Sequence, residues 1–426
     1  MMGVVPTGPD DAELELIRRS GTVLRVGRLS LSAGTGSYRV KASMARVARA
    51  LGVDRHQAHV TLTEITTTSH QGRSFRTEVT EVRSVGVNTD RLAELEHLAQ
   101  RVEAHAPVTV AEVDAEVDRI ATKPPLYPVW LNALWAALAC GAFAFLNNGG
   151  PVEVLGAFLG AGLGQGLRRT MLHRGYNQFG VTMLAAALAA VTYLGFVALL
   201  DLAGVTGGAH ETGYVAAALF LVPGFPLVTG ALDLARLDLS AGVARLTWAL
   251  MIFVSAAFAV WAVSIVVGLS PDPPGAAALD PTARQALRLL ASFVGVLGFA
   301  LMFNSPWSMA LVAAGVAAVP NVLRIAAVEQ LVWPPQAAAA VAAFLVGLLA
   351  AWAAPRLNIP RVTVYVPAVT IMVPGVGAYR AVYHLSNGDV TTALEYGVPA
   401  ALVVTALAVG LAVARMVTDR EWGFEH

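Results

Sequence analysis

The chain has 426 residues, of which 56% are hydrophobic and only 14% charged, with 29 basic residues balanced by 29 acidic ones. Soluble globular proteins carry about 25% charged residues, so a wholly soluble fold is excluded, and a net charge of zero argues against nucleic acid as a partner. The single cysteine, Cys140, excludes a disulfide framework.

The charge is unevenly placed. Residues 1–128 hold 16 of the 29 basic and 16 of the 29 acidic side chains, including both lysines, Lys41 and Lys123. Beyond Lys123 the basic residues are all arginine, and Ala, Leu, Val and Gly dominate. The expected organisation is a soluble α+β domain over 1–128 followed by a helical membrane domain. Pro6, Pro9, Asp10 and Asp11 stand where a signal peptide needs an apolar core. The N-terminal domain is therefore expected in the cytoplasm.

In chain order, Leu14, Ile17, Leu24 and Leu31 predict a helix over 11–33, with Asp10 and Asp11 suited to its N-terminus. A break at Gly34-Thr35-Gly36-Ser37 precedes an amphipathic helix over 38–51, closed by Gly52. Val60, Leu62 and Ile65 among threonines predict one strand over 58–68. Residues 73–83 read as its hairpin partner across His70-Gln71-Gly72. Asn88, Thr89 or Asp90 starts the next helix, Pro107 ends it, and a last helix spans about 109–121. His56, His59 and His70 lack the Cys or Glu-His company of a metal site, so no metal is expected. Gly34-Thr35-Gly36-Ser37 is not a phosphate loop, since no Gly-Lys-Ser/Thr occurs, and no Gly-x-Ser-x-Gly is present. No cofactor is expected, and the chain is not read as an enzyme.

Pro124, Pro125 and Pro128 mark the boundary to the membrane domain. Apolar segments follow at about 129–146, 151–167, 181–200, 213–232, 243–268, 287–303, 307–323, 335–354, 361–380 and 393–414. These give two five-span halves, 129–268 and 287–415, a linker over 269–286 and a tail over 416–426.

One stretch occurs twice. Leu221-Val222-Pro223-Gly224, running on to Asp233 and Asp238, matches Met372-Val373-Pro374-Gly375, running on to His384 and Asp389, at an offset of 151 residues. Each Pro-Gly lies inside an apolar stretch; proline removes a backbone donor and glycine tolerates conformations closed to other residues. Paired interruptions at matching positions point to a transporter's binding site, and an odd number of spans per copy inverts the second copy. The expected fold is thus an α-helical polytopic membrane protein of about ten spans in a 5+5 inverted repeat. With the N-terminus inside, nine arginines fall on the cytoplasmic side and four, Arg284, Arg288, Arg324 and Arg380, outside. Both termini are then cytoplasmic. Charges at membrane depth usually face a cavity or a partner. The candidate pathway residues are Pro223, Gly224, Asp233, Asp238, Pro374, Gly375, Arg380, His384 and Asp389. Arg380 suits a carboxylate and His384 a coupling proton. Glu153, Asn321, Glu329, Tyr365 and Glu395 are further polar positions in the spans.

These features together resemble the bacterial threonine/serine exporter family. The resemblance rests on Arg39-Val40-Lys41 and Val47 to Gly52, on Asn88 to Leu92, and on the run from Pro124 to Trp130. It continues through Pro223-Gly224, Asp233, Asp238, Ser240 and Gly242 to Arg245, and through Val373-Pro374-Gly375 to Gly388-Asp389. It implies export of threonine and serine driven by the proton-motive force across the plasma (inner) membrane. The partners would be an amino-acid substrate, protons and the bilayer, and a homo-oligomer is compatible with it. Two alternatives stand beside it: a dicarboxylate (succinate-like) exporter of the same fold, and a membrane-anchored enzyme or sensor acting through residues 1–128.

Overall fold

The structure, a computed structural model, describes residues 9–82, 86–205, 210, 213–268, 279–419 and 422. The side chains of Asp10 and Asp11, most of the expected linker and most of the tail lie outside the described residues. The chain forms two compact units. The first holds residues 1–125 together with 232–245; the second holds 126–231 and 246–426.

The first unit is built from α1 (Pro9–Ser32), α2 (Ser37–Ala50), β1 (Arg55–Val60), β2 (Glu64–Gln71), β3 (Ser74–Glu81), α3 (Thr89–Ala104) and α4 (Val110–Thr122). Val40, Met44, Val47 and Leu51 recur at helical spacing and enter the core with Val23, Val26, Ile65 and Leu95. Gly27 lets α1 and α2 approach, since a Cβ there would lie 2.4 Å from Met44 Sδ. Asn88 caps α3 by accepting from Arg91 N at 3.0 Å, and Thr109 with Glu112 forms a capping box on α4.

The single strand expected over 58–68 is two strands. The chain reverses at Thr61, whose amide donates to Glu64 O at 2.9 Å while Glu64 N donates to the Thr61 hydroxyl at 3.1 Å. Local threonine hydroxyl bonding makes this turn without glycine or proline, so the β-branched pattern reads as continuous. The sheet is antiparallel in the order β1-β2-β3, with Ala58 opposite Thr67 and Ser69 opposite Arg76.

The helices that follow are α5 (Val129–Leu146), α6 (Pro151–His173), α7 (Gln178–Leu202), α8 (Tyr214–Ala217), α9 (Gly224–Ala235), α10 (Leu239–Val267), α11 (Pro281–Met302), α12 (Trp307–Glu329), α13 (Pro335–Arg356), α14 (Arg361–Thr370), α15 (Gly375–Ser386) and α16 (Val390–Thr418). Among the described residues, α5, α7, α10, α11, α12, α13 and α16 are each long and apolar enough to cross a membrane. The pair α14–α15, bent by 52°, is an eighth candidate. The chain is a polytopic helical membrane protein. The segment expected at 151–167 is a longer helix, α6, whose glycines, Glu153 and Arg168-Arg169 dilute its hydropathy. The segment expected at 213–232 is interrupted, with a 3₁₀ turn at Leu219–Leu221 between α8 and α9.

Glycines set the register of α6 against α7. A Cβ on Gly156 would meet the Tyr193 ring at 2.7 Å, one on Gly160 would meet Ala189 O at 2.5 Å, and one on Gly164 would meet Ala185 O at 2.9 Å. In lipid, where no hydrophobic force drives helices together, this close backbone approach supplies the packing.

Candidate functional site

Both Pro-Gly pairs break helices in the same way. Val222 N donates to Leu219 O at 3.1 Å, Gly224 N to Val222 O at 2.8 Å, and Leu227 N to Pro223 O at 3.0 Å. At the matching positions Val373 N donates to Thr370 O at 3.2 Å, Gly375 N to Val373 O at 2.8 Å, and Ala378 N to Pro374 O at 3.0 Å. Proline at 223 and 374 cannot donate, so each chain leaves its helix and restarts it at the glycine.

The two breaks lie against each other. A Cβ on Gly224 would sit 2.7 Å from Thr370 Cγ2, and one on Gly375 would sit 2.7 Å from Leu219 Cδ2 and 3.1 Å from Val222 Cγ2. Leu219 and Thr370 are themselves matching positions, so each glycine receives the same residue of the other copy. Beside them runs a narrow apolar crevice lined by Leu219, Val222, Phe253, Val260, Gly375 and Tyr379.

From this crevice an aromatic chain leads along α15. The Tyr214 and Tyr379 rings meet edge to face at 6.1 Å with their hydroxyls 3.4 Å apart. Tyr379 neighbours Tyr383, Tyr383 meets His384 at 5.3 Å, and His384 stacks on Tyr396 at 5.8 Å. The Arg380 guanidinium lies 5.5 Å over the Tyr396 ring. His384 Nδ1 is 3.6 Å from Asp389 Oδ2. Asp389 also caps α16 by accepting from Thr392 N at 3.1 Å. Hydrogen bonds from the Thr392 side chain and amide hold its carboxyl below the usual carboxylate range. The structure thus brings Arg380, His384 and Asp389 together at one turn.

Asp233 and Asp238 have a different setting, inside the first unit. Asp233 is fully buried, accepts from Ser37 N at 2.9 Å and faces Arg245 at 3.4 Å. Asp238 accepts from Ser37 Oγ at 2.7 Å and pairs with Lys41. The Arg245 guanidinium, 1% exposed, donates to Thr35 O at 3.0 Å and to Gly34 O at 3.4 Å. Gly36 is required here, because a Cβ would lie 2.8 Å from Asp233 Oδ1. The Gly34–Ser37 loop therefore seats two carboxylates at the start of α2, where free helix N–H groups favour negative charge.

The turn that carries Asp233 and Asp238 has the backbone of the turn that carries His384 and Asp389. Asp238 N donates to Asp233 O at 3.0 Å and Asp389 N to His384 O at 2.9 Å. Leu237 and Gly388 both have positive φ, 60° and 82°. The matched side chains differ: the pair Asp233–Arg245 in one copy is the stack His384–Tyr396 in the other. Sequence reasoning missed Ser37, Lys41, Tyr214, Tyr379 and Tyr396. Tyr396 carried a signal, since it falls on Arg245 at the same offset of 151, and Lys41 stands in a run that carries the family resemblance.

The histidines of the first unit have separate partners. His56 is bonded to Ser69 Oγ at 3.0 Å, His59 to Ser240 Oγ at 3.3 Å, and His70 packs on Phe75. Among the described residues no group of three or more His, Cys, Asp or Glu side chains is placed to hold a metal ion.

Against known proteins, the model of the ThrE family described as "Putative threonine/serine exporter" matches residues 21–267, and that described as "Threonine/Serine exporter, ThrE" matches residues 288–417. The chain belongs to the threonine/serine exporter family. This is a family of membrane transporters and not of enzymes. Among the family's relatives, the "Threonine/serine exporter" of Corynebacterium glutamicum is 26% identical over 93% of this chain and 81% of its own length. "Probable succinate transporter subunit YjjP" of Klebsiella aerogenes is 28% identical over 52% of this chain and 82% of its own length. "Pheromone-regulated membrane protein 10" of Kluyveromyces lactis is 21% identical over 93% of this chain and 43% of its own length. No solved structure matches the chain.

Proposed function

We propose that the chain is a secondary exporter of threonine and serine driven by the proton-motive force, built as ten spans in a 5+5 inverted repeat. The substrate passes between the two Pro-Gly breaks. The observation that carries this reading is the reciprocal seating of Gly224 on Thr370 and of Gly375 on Leu219. Two interrupted helices meeting at equivalent points is how transporters make a midplane site, with free backbone N–H groups for an anionic group and free carbonyls for a cation.

In this reading Arg380, His384 and Asp389 form the charged station of the second copy. The Thr392 hydrogen bonds favour the ionised form of Asp389. His384, 3.6 Å from the Asp389 carboxylate, is the carrier of the coupling proton in this reading. Asp233 and Asp238 hold their own turn to the Gly34–Ser37 loop within the first unit. The arginine distribution supports a plasma-membrane protein with both termini in the cytoplasm.

A second reading, dicarboxylate export, is favoured by the succinate transporter subunits that match the first half. Efflux of labelled threonine, serine and succinate from loaded cells, with and without a protonophore, separates the two. Threonine and serine efflux abolished by the protonophore supports the first reading. Succinate efflux alone supports the second, and amino-acid efflux insensitive to the protonophore removes the proton coupling.

A further inference from the structure

Among the described residues of the second unit, some arginines pair with a carboxylate and others, Arg168 and Arg324 among them, do not. Arg288 pairs with Glu329 at 2.6 Å and Arg415 with Asp419 at 3.0 Å. Arg168 and Arg324, by contrast, pair with no carboxylate among the described residues. Arg168 Nη1 donates to Gln165 Oε1 at 3.4 Å, and its buried Nε has no hydrogen-bond partner. Arg324 Nε donates to Asn321 Oδ1 at 3.1 Å. In each case the supporting amide stands three residues before the arginine and is itself held from the preceding helix. Gln165 Nε2 donates to Asn132 Oδ1 at 2.8 Å and Asn321 Nδ2 donates to Ser292 Oγ at 2.9 Å. Gln165, Asn132, Asn321 and Ser292 are all 2% exposed or less. The arrangement is built twice, and each copy positions a guanidinium rather than neutralising it.

Its place along the helices is set by packing. The chain from Gly213 to Phe220 runs beside α6 in the same direction. The Cβ positions of Gly213, Gly160 and Gly164 approach Glu153, Ala217 and Phe220 at 2.9 Å each. Arg168 lies one turn, about 6 Å, beyond Gly164 on the same face, and Pro223 lies three residues beyond Phe220. Arg168 is therefore at the level of the first break. Arg324 stands three residues after its supporting amide on α12, as Arg168 does on α6, and α12 packs on α14 through Thr363 and Met309. A guanidinium at the end of an apolar helix, held by buried amides and without a carboxylate beside it, marks a partner or a pathway. Arginine's planar fork suits a carboxylate.

We propose that Arg168 and Arg324 bind the carboxylate of the transported substrate, one beside each Pro-Gly break. This rests on the exporter reading and adds the chemistry by which the pathway recognises its cargo: a carboxylate passed from one guanidinium to the other. The test uses the full chain, purified and reconstituted in phosphatidylcholine nanodiscs, with binding of labelled L-threonine as the readout. Serine and succinate are expected to displace the label, while L-threoninol, which lacks the carboxylate, is not. Arg168→Gln and Arg324→Gln should each weaken threonine binding by about tenfold or more, with Arg→Lys variants in between. The competition arm uses the wild type, so it survives a variant that fails to fold. Equal displacement by L-threoninol overturns the proposal, as do unchanged affinities in both glutamine variants or binding of none of the carboxylates. Variants that lose only a dependence on added anionic lipid also overturn it, identifying the arginines as headgroup anchors. If labelled succinate binds the wild type where labelled threonine does not, and the glutamine variants lose it, the arginine assignment stands and the amino-acid reading fails.

Discussion

Thr370 stands where a side chain on Gly224 would have to go: a Cβ there would lie 2.7 Å from Thr370 Cγ2 and 3.0 Å from its hydroxyl. The mirror contact, Gly375 against Leu219, makes the junction of the two breaks dependent on both glycines. Gly224→Ala and Gly375→Ala should each destabilise the full-length protein by about 1–3 kcal/mol through overpacking and reduce threonine efflux. Thr370→Ser removes Cγ2, so the pair Gly224→Ala/Thr370→Ser should recover part of the lost melting temperature. No recovery would mean that Gly224 is needed for its backbone freedom rather than for space.

The buried pair Asp233–Arg245 yields a stability prediction. The two charges face at 3.4 Å without an aligned hydrogen bond, and both are within 1% of full burial. Arg245→Met leaves a buried carboxylate supported only by backbone donors and should cost about 3–5 kcal/mol. Asp233→Asn/Arg245→Met removes both charges and should be milder than Arg245→Met alone. Thermal melting of the three proteins checks this order.

Charge and capping can be separated at Asp389. Asparagine caps helices about as well as aspartate, so Asp389→Asn should leave melting within about 0.5 kcal/mol of wild type while lowering proton-coupled efflux. Asp389→Ala should lower both, with a capping loss of about 1 kcal/mol. Unchanged efflux in the asparagine variant would reduce Asp389 to a helix cap.

The first unit carries a pH dependence of known sign. Burial alone would raise the Glu94 pKa, but hydrogen bonds from Lys123 and Arg119 outweigh it and hold the carboxyl below its ordinary value. Its contribution is present above the unfolded-state pKa and is lost as pH falls through the lower folded-state value. Lys123 is opposed by burial but raised by Asp90 and Glu94. Its contribution is full below the unfolded lysine pKa and is lost as pH rises through the folded one. Hydrogen exchange across residues 89–123 should show protection falling below about pH 4. Glu94→Gln should flatten that acid limb, and an unaltered limb would assign it to other carboxylates.

Much of this architecture was legible beforehand, for identifiable reasons. The helices of the first unit follow from apolar spacing and from the Asn88 and Thr109 caps, which are local signals. The strand over 58–68 misled because the turn at Thr61 is made by a hydroxyl, and threonine suits a strand equally well. The offset of 151 residues located both helix breaks, since Pro-Gly within an apolar run leaves few alternatives. The partners of Asp233 and Asp238 were not legible, because Ser37 and Lys41 lie about 200 residues earlier and no spacing rule links them.

By itself, then, the sequence determined what is periodic or compositional: a charged α+β unit, an apolar helical unit, and a duplicated interruption. Hydropathy and backbone chemistry act within a few residues, so they are written locally. Only the tertiary structure decided which groups meet: Gly224 with Thr370, Asp233 with Arg245 and Ser37, and Arg168 and Arg324 with buried amides. Those contacts depend on helix register and on close backbone approach at glycine. Both are settled by packing across distant segments, where a shift of one turn would exchange every partner.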